Sequence, residues 1–243
     1  MKTLRAFHND PKVKQKYLDR IIAHEKADEI IKGTYWEGGK GCAVGCTLHS
    51  ADHGNYEPEL GIPSWLGHVQ EILFEGLPRH KTFPRRFLQS IPVGFSDWTT
   101  LYHDYVIFLL RDICPPIKNP KAKAETDHLI YLHETRETDP EVWYAATDTC
   151  YPGTPINYDI IHAASIASLN YIAHAGNSNA YFTTYATDVE TASFDHPAIL
   201  TEAAIEVAFN HLLNNDTNTK YIGNDNPYLK LANHLLKLFG TKS

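Results

Sequence analysis

Cysteine and basic residues are scarce in this chain, and each shortage excludes a class of protein. Four of the 243 residues are cysteine, too few to suggest a disulfide-stabilised scaffold. Acidic residues outnumber basic ones by 29 to 22, giving a formal net charge of −7, which argues against general binding to nucleic-acid backbones. No apolar run reaches the roughly 18 residues of a membrane span, and polar residues follow the N-terminal Met-Lys-Thr-Leu-Arg. We therefore expect a cytoplasmic protein with reduced cysteines.

Alternating apolar and polar residues, the pattern of a half-buried strand, are also almost missing, whereas apolar residues at helical spacing are common. The clearest case is 11–32, which starts at Asp10-Pro11 and has Gly33 as a candidate C-cap. Its apolar face includes His24, which we expect to be a hydrogen-bonded residue at the edge of the core rather than a ligand.

Further helices are predicted from start signals and apolar spacing. They cover about 64–75, 83–90, 97–113, 124–137, 140–146, 157–174, 197–214 and 227–239. The segment 181–194 fits either a strand or a helix. The chain is thus predicted to be all-α, a single irregular helical bundle over 1–243 with a polar insertion in its second half. A linker-like stretch at 115–125 marks a possible subdivision.

The segment 36–59 carries the densest group of chemically active residues. If 42–49 forms a short helix, Cys42, Cys46 and His49 lie on one face at i, i+4 and i+7. Two thiols and an imidazole suit Zn²⁺ or another thiophilic metal, and His53, Asp52, Glu57 or Glu59 could add a ligand. A second cysteine pair is missing, so the sequence predicts no standard structural zinc site and no specific cofactor.

A thiol nucleophile is the second interpretation of this segment. Cys46 with His49 as base and Glu59 as the orienting acid would form a catalytic Cys/His/acid arrangement. Four further residues are candidates for ligand binding: Trp36, Cys42, His53 and Glu75. The third interpretation is structural, since cysteine is often a small buried core residue and the glycines would allow close packing.

His-Asp pairs such as His103-Asp104 are a weaker signal for metal-dependent phosphohydrolases of the HD type. Those sites need an additional histidine and a distant aspartate on several helices. A chain with 14 histidines produces such pairs by chance, so the pair alone predicts no site.

The run Gly-Thr-Tyr-Trp-Glu-Gly-Gly-Lys-Gly-Cys-Ala-Val-Gly-Cys-Thr-Leu-His-Ser, with Glu-Leu-Gly-Ile-Pro at 59–63 and Phe-Glu-Gly-Leu-Pro at 74–78, resembles a bacterial and phage protein family. The resemblance covers roughly the first 100 residues and implies no activity, because none is assigned to that family. The second half departs from it, being more polar between 115 and 225 than the alanine-rich helices of that family.

Two functions follow from these observations. The first is a small-ligand site at 36–59, in an enzyme that depends on a thiol or a metal. The second is a non-catalytic interaction protein that binds a partner through its second half and uses the cysteine- and glycine-rich segment only structurally; in one version of this hypothesis it is phage-encoded and binds a host factor. The partner is then an unknown small molecule or protein.

Overall fold

The computed structural model describes residues 4–113, 120–148 and 226–240. Contacts between Cα atoms divide the chain into two compact units, 1–101 with 221–243 and 102–220. The helices and strands follow in chain order: α1 Pro11–Ala27, β1 Trp36–Glu37, β2 Lys40–Gly41, α2 Ala43–Leu48, α3 Tyr56–Leu60, α4 Ser64–Gly76, α5 Phe83–Ser90, α6 Trp98–Phe108, α7 Pro120–Thr135, α8 Pro140–Asp148 and α9 Pro227–Gly240.

Helix α1 begins as predicted and ends earlier than predicted. The Asp10 carboxylate accepts the Lys12 N–H at 2.8 Å, and Pro11 occupies the first helical position. Asp28 takes the left-handed conformation, φ 58°, and ends the helix there instead of at Gly33. The residues after Asp28 form hydrogen bonds with β2 instead of continuing the helix. Ile31 N–H donates to Gly41 O at 2.8 Å, and Gly41 N–H donates to Glu29 O at 3.1 Å.

A short antiparallel hairpin, β1 with β2, lies between α1 and α2. Its two turn residues, Gly38 and Gly39, have φ of 58° and 83°, a region that favours glycine. The hairpin lies directly against α2: a Cβ on Gly45 would come within 1.7 Å of Tyr35 O. The glycine at 45 is therefore required for this close approach of two backbones.

The first unit is built of helices around an aromatic and aliphatic core. Helix α1 packs against α2 and α5, while α4 packs against α2, α5 and α9. The largest fully buried side chains here are Phe7, Tyr17, Ile21, Ile30, Tyr56, Phe74, Phe83, Phe87 and Phe239. This core holds α1 and α2 side by side, which positions the residues discussed below.

The second unit contains the later part of α6, a π-helical turn at Leu109–Ile113, α7 and α8. Helix α7 packs against α8 and against the π-helical turn. Trp143 of α8 is fully buried, and its indole N–H donates to Glu137 O at 3.0 Å. An ion pair of 2.7 Å joins Arg111 to Glu134 at the surface.

The all-α prediction is confirmed for the described residues, whose strands are limited to the two-residue β1 and β2. The first turn of α7, starting at Pro120, replaces part of the predicted linker at 115–125. The helices predicted at 157–174 and 197–214, the ambiguous segment 181–194 and most of the polar insertion lie outside the described residues. The single domain and its possible subdivision stay predictions. No helix in the described ranges is both long enough and apolar enough to cross a membrane.

Candidate functional site

Three side chains form a hydrogen-bonded series in the first unit: one from α1, one from the segment that follows α1, and one from the end of α2. Glu29 Oε2 lies 2.7 Å from His24 Nδ1, and His24 Nε2 lies 2.7 Å from His49 Nε2. His24 belongs to the buried face of α1 and is 8% exposed, whereas His49 is exposed. The series therefore runs from a carboxylate through a buried imidazole to an imidazole at the surface.

His49 is held in place by the end of α2. It is the C-cap of that helix, with φ 57°, and its N–H donates to Gly45 O at 2.8 Å. Arg20 Nη1 donates to Thr47 O at 2.7 Å and so ties α1 to the last turn of α2. The relative position of the two imidazoles is thus fixed by the packing of α1 against α2.

Trp36 of the hairpin covers the histidine pair on one side. Its ring is stacked on His49, with centroids 4.7 Å apart and planes 12° apart, and it meets His24 edge-on at 5.5 Å. An aromatic ring stacked on an imidazole restricts its rotation and excludes water from one face. The predicted ligand-binding residue Trp36 therefore lies against the predicted catalytic residue His49.

The hydrogen bonds decide which tautomers the two imidazoles adopt when both are neutral. A carboxylate only accepts, so His24 Nδ1 carries a proton, and His24 Nε2 then accepts from His49 Nε2–H. The remaining nitrogen of His49, Nδ1, is an acceptor with no hydrogen-bond partner among the described residues. Although His49 is exposed, partial desolvation of its ring, together with the nearby positive charge of Arg20, lowers its pKa and keeps this imidazole neutral near pH 7.

The two thiols of the segment are fully buried. Cys42 is the N-cap of α2, and its Sγ accepts the Gly45 N–H at 3.3 Å. The Cys46 thiol lies 3.2 Å from Gly41 O. Burial raises the pKa of both thiols, that of Cys46 to about 12, so both remain protonated at neutral pH.

A carboxyl group from α4 accompanies the thiols. Glu71 is buried, its Oε2 accepts the Val44 N–H at 3.4 Å, and it interacts with Cys42. Burial raises the pKa of Glu71 to about 7, while the hydrogen bonds from Cys42 and Val44 act in the opposite direction. Near neutral pH the two thiols on the interior side of α2 are therefore protonated, while the Glu71 carboxyl, with a pKa of about 7, exchanges its proton in this range.

The other predicted site residues have partners of their own. Glu59 accepts a hydrogen bond from the Tyr17 hydroxyl, and Glu75 accepts the Gly33 N–H at 3.0 Å. The carboxylate that orients an imidazole is Glu29 instead. The side chain of His53 lies outside the described part of the structure.

Sequence reasoning identified His49 and Trp36 and missed His24 and Glu29 as members of the same group. His24 was expected to be a hydrogen-bonded residue at the edge of the core, and its burial and two hydrogen bonds confirm that expectation. A histidine placed on an apolar helix face and followed five residues later by an acid was the available signal. This pattern identified neither His49 as the second partner of His24 nor the distance between the two rings.

The second unit contains another histidine pair. His103 Nδ1 and His133 Nδ1 are 2.8 Å apart, both residues are buried, and Trp143 lies 4.9 Å from the His133 ring. Asp104, the second residue of the His-Asp pair, accepts a hydrogen bond from Arg136. Burial lowers the pKa of both histidines, that of His103 to about 4.

Within the described ranges, no group of three or more His, Cys, Asp or Glu side chains could hold a metal ion. Comparison of the chain with models of protein families, with curated proteins and with solved structures found no match. The resemblance to a bacterial and phage family accordingly stays a prediction.

Proposed function

We propose that segment 36–59 and helix α1 form a small-ligand site in which a pair of imidazoles transfers protons, with His49 as the general base. The observation that carries this proposal is the series Glu29–His24–His49, which ends at an exposed imidazole stacked on Trp36. A general base must be neutral at the working pH and reachable by its substrate. The lowered pKa and the exposure of His49 meet both requirements.

The direction of proton transfer follows from the tautomers. His49 Nδ1 takes a proton from the ligand, and the Nε2 proton of His49 passes to His24 Nε2. The positive charge then lies on His24, beside the Glu29 carboxylate at 2.7 Å. A carboxylate that orients and stabilises an imidazolium is the established role of the acid in catalytic triads.

The thiol-dependent version of this site stays a prediction, and the surroundings of the thiols favour the imidazoles over it. Cys46 is fully buried and its pKa is raised to about 12, so the thiolate is scarce at neutral pH. Nucleophilic cysteines are ordinarily accessible and have a lowered pKa.

Hydrolysis of p-nitrophenyl acetate by the full-length chain, in buffer containing EDTA, tests the proposal. We expect hydrolysis above the buffer rate, reduced at least about tenfold in His49→Asn, with a smaller loss in Glu29→Gln. Because the neutral imidazole is the active form and its pKa is lowered, the pH at half-maximal rate should lie below the usual histidine value of 6.5.

Two control variants make the result specific. His128→Asn removes an exposed histidine of the second unit and should leave the rate unchanged. Cys46→Ala separates the two chemistries, since an imidazole base keeps its rate and a thiol nucleophile loses it. A rate that is insensitive to His49→Asn would sink the proposal.

The interaction-protein alternative has one observation of its own. Tyr131, on α7 and within the region expected to bind a partner, is 58% exposed. Exposed tyrosines are enriched at protein interfaces. If that alternative is correct, Tyr131→Ser abolishes partner binding while His49→Asn leaves it intact, which binding assays with both variants would distinguish.

A further inference from the structure

We propose that His24 and His49 bind one divalent transition-metal ion, of the Zn²⁺, Ni²⁺ or Cu²⁺ class, through their Nε2 atoms. This goes beyond the proposed proton transfer and requires only the two imidazoles. Their Nε2 atoms face each other at 2.7 Å, an arrangement in which a single proton joins two lone-pair positions. A metal ion replaces that proton, and the proton of His49 moves to Nδ1.

The distance between the two nitrogens is close to what such an ion needs. With a zinc–nitrogen distance of about 2.0 Å and a tetrahedral angle, two imidazole nitrogens lie about 3.3 Å apart. The pair must therefore open by about 0.6 Å from 2.7 Å. His49 is exposed at the end of α2, so its ring can slide by this amount parallel to the Trp36 ring and keep the stacking.

The other nitrogen of His24 has the partner expected for a metal ligand. Metal-binding histidines usually donate their second ring N–H to a carboxylate, which fixes the tautomer and raises the basicity of the coordinating nitrogen. Glu29 occupies this position, 2.7 Å from Nδ1. The Trp36 ring shields one side of the pair, because it is stacked on His49 and meets His24 edge-on.

The number of protein ligands indicates the kind of site. Since no third His, Cys, Asp or Glu joins the pair among the described residues, water completes the coordination of the ion. Neutral imidazoles without thiolates favour zinc, nickel or copper over magnesium or calcium, which prefer oxygen ligands. Two ligands and open positions predict an exchangeable ion rather than a structural one.

Calorimetric titration of the untagged, metal-free chain with zinc chloride at pH 7.5 tests the inference. We expect one saturable equivalent. His49→Asn should weaken binding at least tenfold, and Glu29→Gln should weaken it roughly 10- to 100-fold through the loss of the outer carboxylate. His128→Asn, which removes an exposed histidine elsewhere, should bind as the unchanged chain does.

The choice of His49→Asn keeps the test decisive. Position 49 has the left-handed conformation that asparagine tolerates, so this variant should fold even if substitution of the buried His24 does not. Nitrogen couplings from two imidazoles in the electron paramagnetic resonance spectrum of the Cu²⁺ complex provide a second readout. No saturable zinc binding, or equal binding by His49→Asn, would overturn the inference. Hydrolysis measured in EDTA would still report on the proton-transfer proposal by itself.

Discussion

The His24–His49 pair and the His103–His133 pair have nearly equal nitrogen–nitrogen distances, 2.7 and 2.8 Å, and very different surroundings. The first pair has a carboxylate at one end and an exposed imidazole at the other. The second pair is buried among Tyr102, Trp143 and Arg136. The same contact therefore occurs in two settings, one that reaches solvent and suits the proposed proton transfer, and one in which both imidazoles are buried.

Removal of one histidine from each pair should show the largest difference between them. His133→Ala leaves a cavity and removes the buried hydrogen bond to His103, so we expect a loss of about 3 kcal/mol in unfolding free energy. His49→Asn removes an exposed ring but keeps a residue that tolerates the left-handed conformation, and should cost about 1 kcal/mol. Urea denaturation of both variants measures the difference, and equal losses would contradict the distinction drawn here.

The close approach of the hairpin to α2 places Trp36 against the first pair, His24–His49. Gly45→Ala places a Cβ against Tyr35 O, which should displace the hairpin, separate Trp36 from His49 and cost about 2 kcal/mol. Gly240→Ala is the matched control, because a Cβ there meets nothing within 4 Å. Thermal unfolding measures the change in stability. An unchanged midpoint temperature for Gly45→Ala would contradict the expectation that the approach of Gly45 to Tyr35 O fixes the position of the hairpin.

The buried pair should make the protein sensitive to acid. The pKa of His103 falls from 6.5 to about 4 on folding, so the unfolded chain binds more protons in that window. The stability contribution is complete above pH 6.5 and is lost as the pH falls toward 4, by about 3 kcal/mol. His103→Gln should lose less stability than the unchanged chain between pH 7 and 4.5. An identical pH profile in urea denaturation would refute this assignment.

Glu71, which interacts with Cys42 in the buried part of the first unit, should change the stability with pH in the opposite direction from His103. Its pKa rises from 4.5 to about 7 on folding, so the folded chain binds more protons, and stability is lost as the pH rises through this window. Glu71→Gln removes the ionisation, although its amide must find a buried partner. That burial cost does not depend on pH, so we expect a relative gain of about 2 kcal/mol on going from pH 5 to pH 8. Chemical denaturation at both pH values measures it.

Local signals predicted much of the helical structure. Asp10-Pro11 and Pro227 start helices where expected, because a cap residue or a proline acts on its own first turn. The end of α1 was predicted too late, since Gly33 is a good C-cap in isolation. Asp28 ends the helix because the chain beyond it pairs with Gly41, a partner that no local pattern reveals.

The sequence alone determined that this protein is helical in its described parts. It left close packing of the segment 36–59 as one of three interpretations. Only the tertiary structure decided which residues form the candidate site. His24 and His49 are 25 residues apart and meet because α1 packs on α2, while the thiols predicted beside His49 are buried within the core. Periodicity tells which face of a helix is apolar, but a hydrogen bond across two helices depends on their packing.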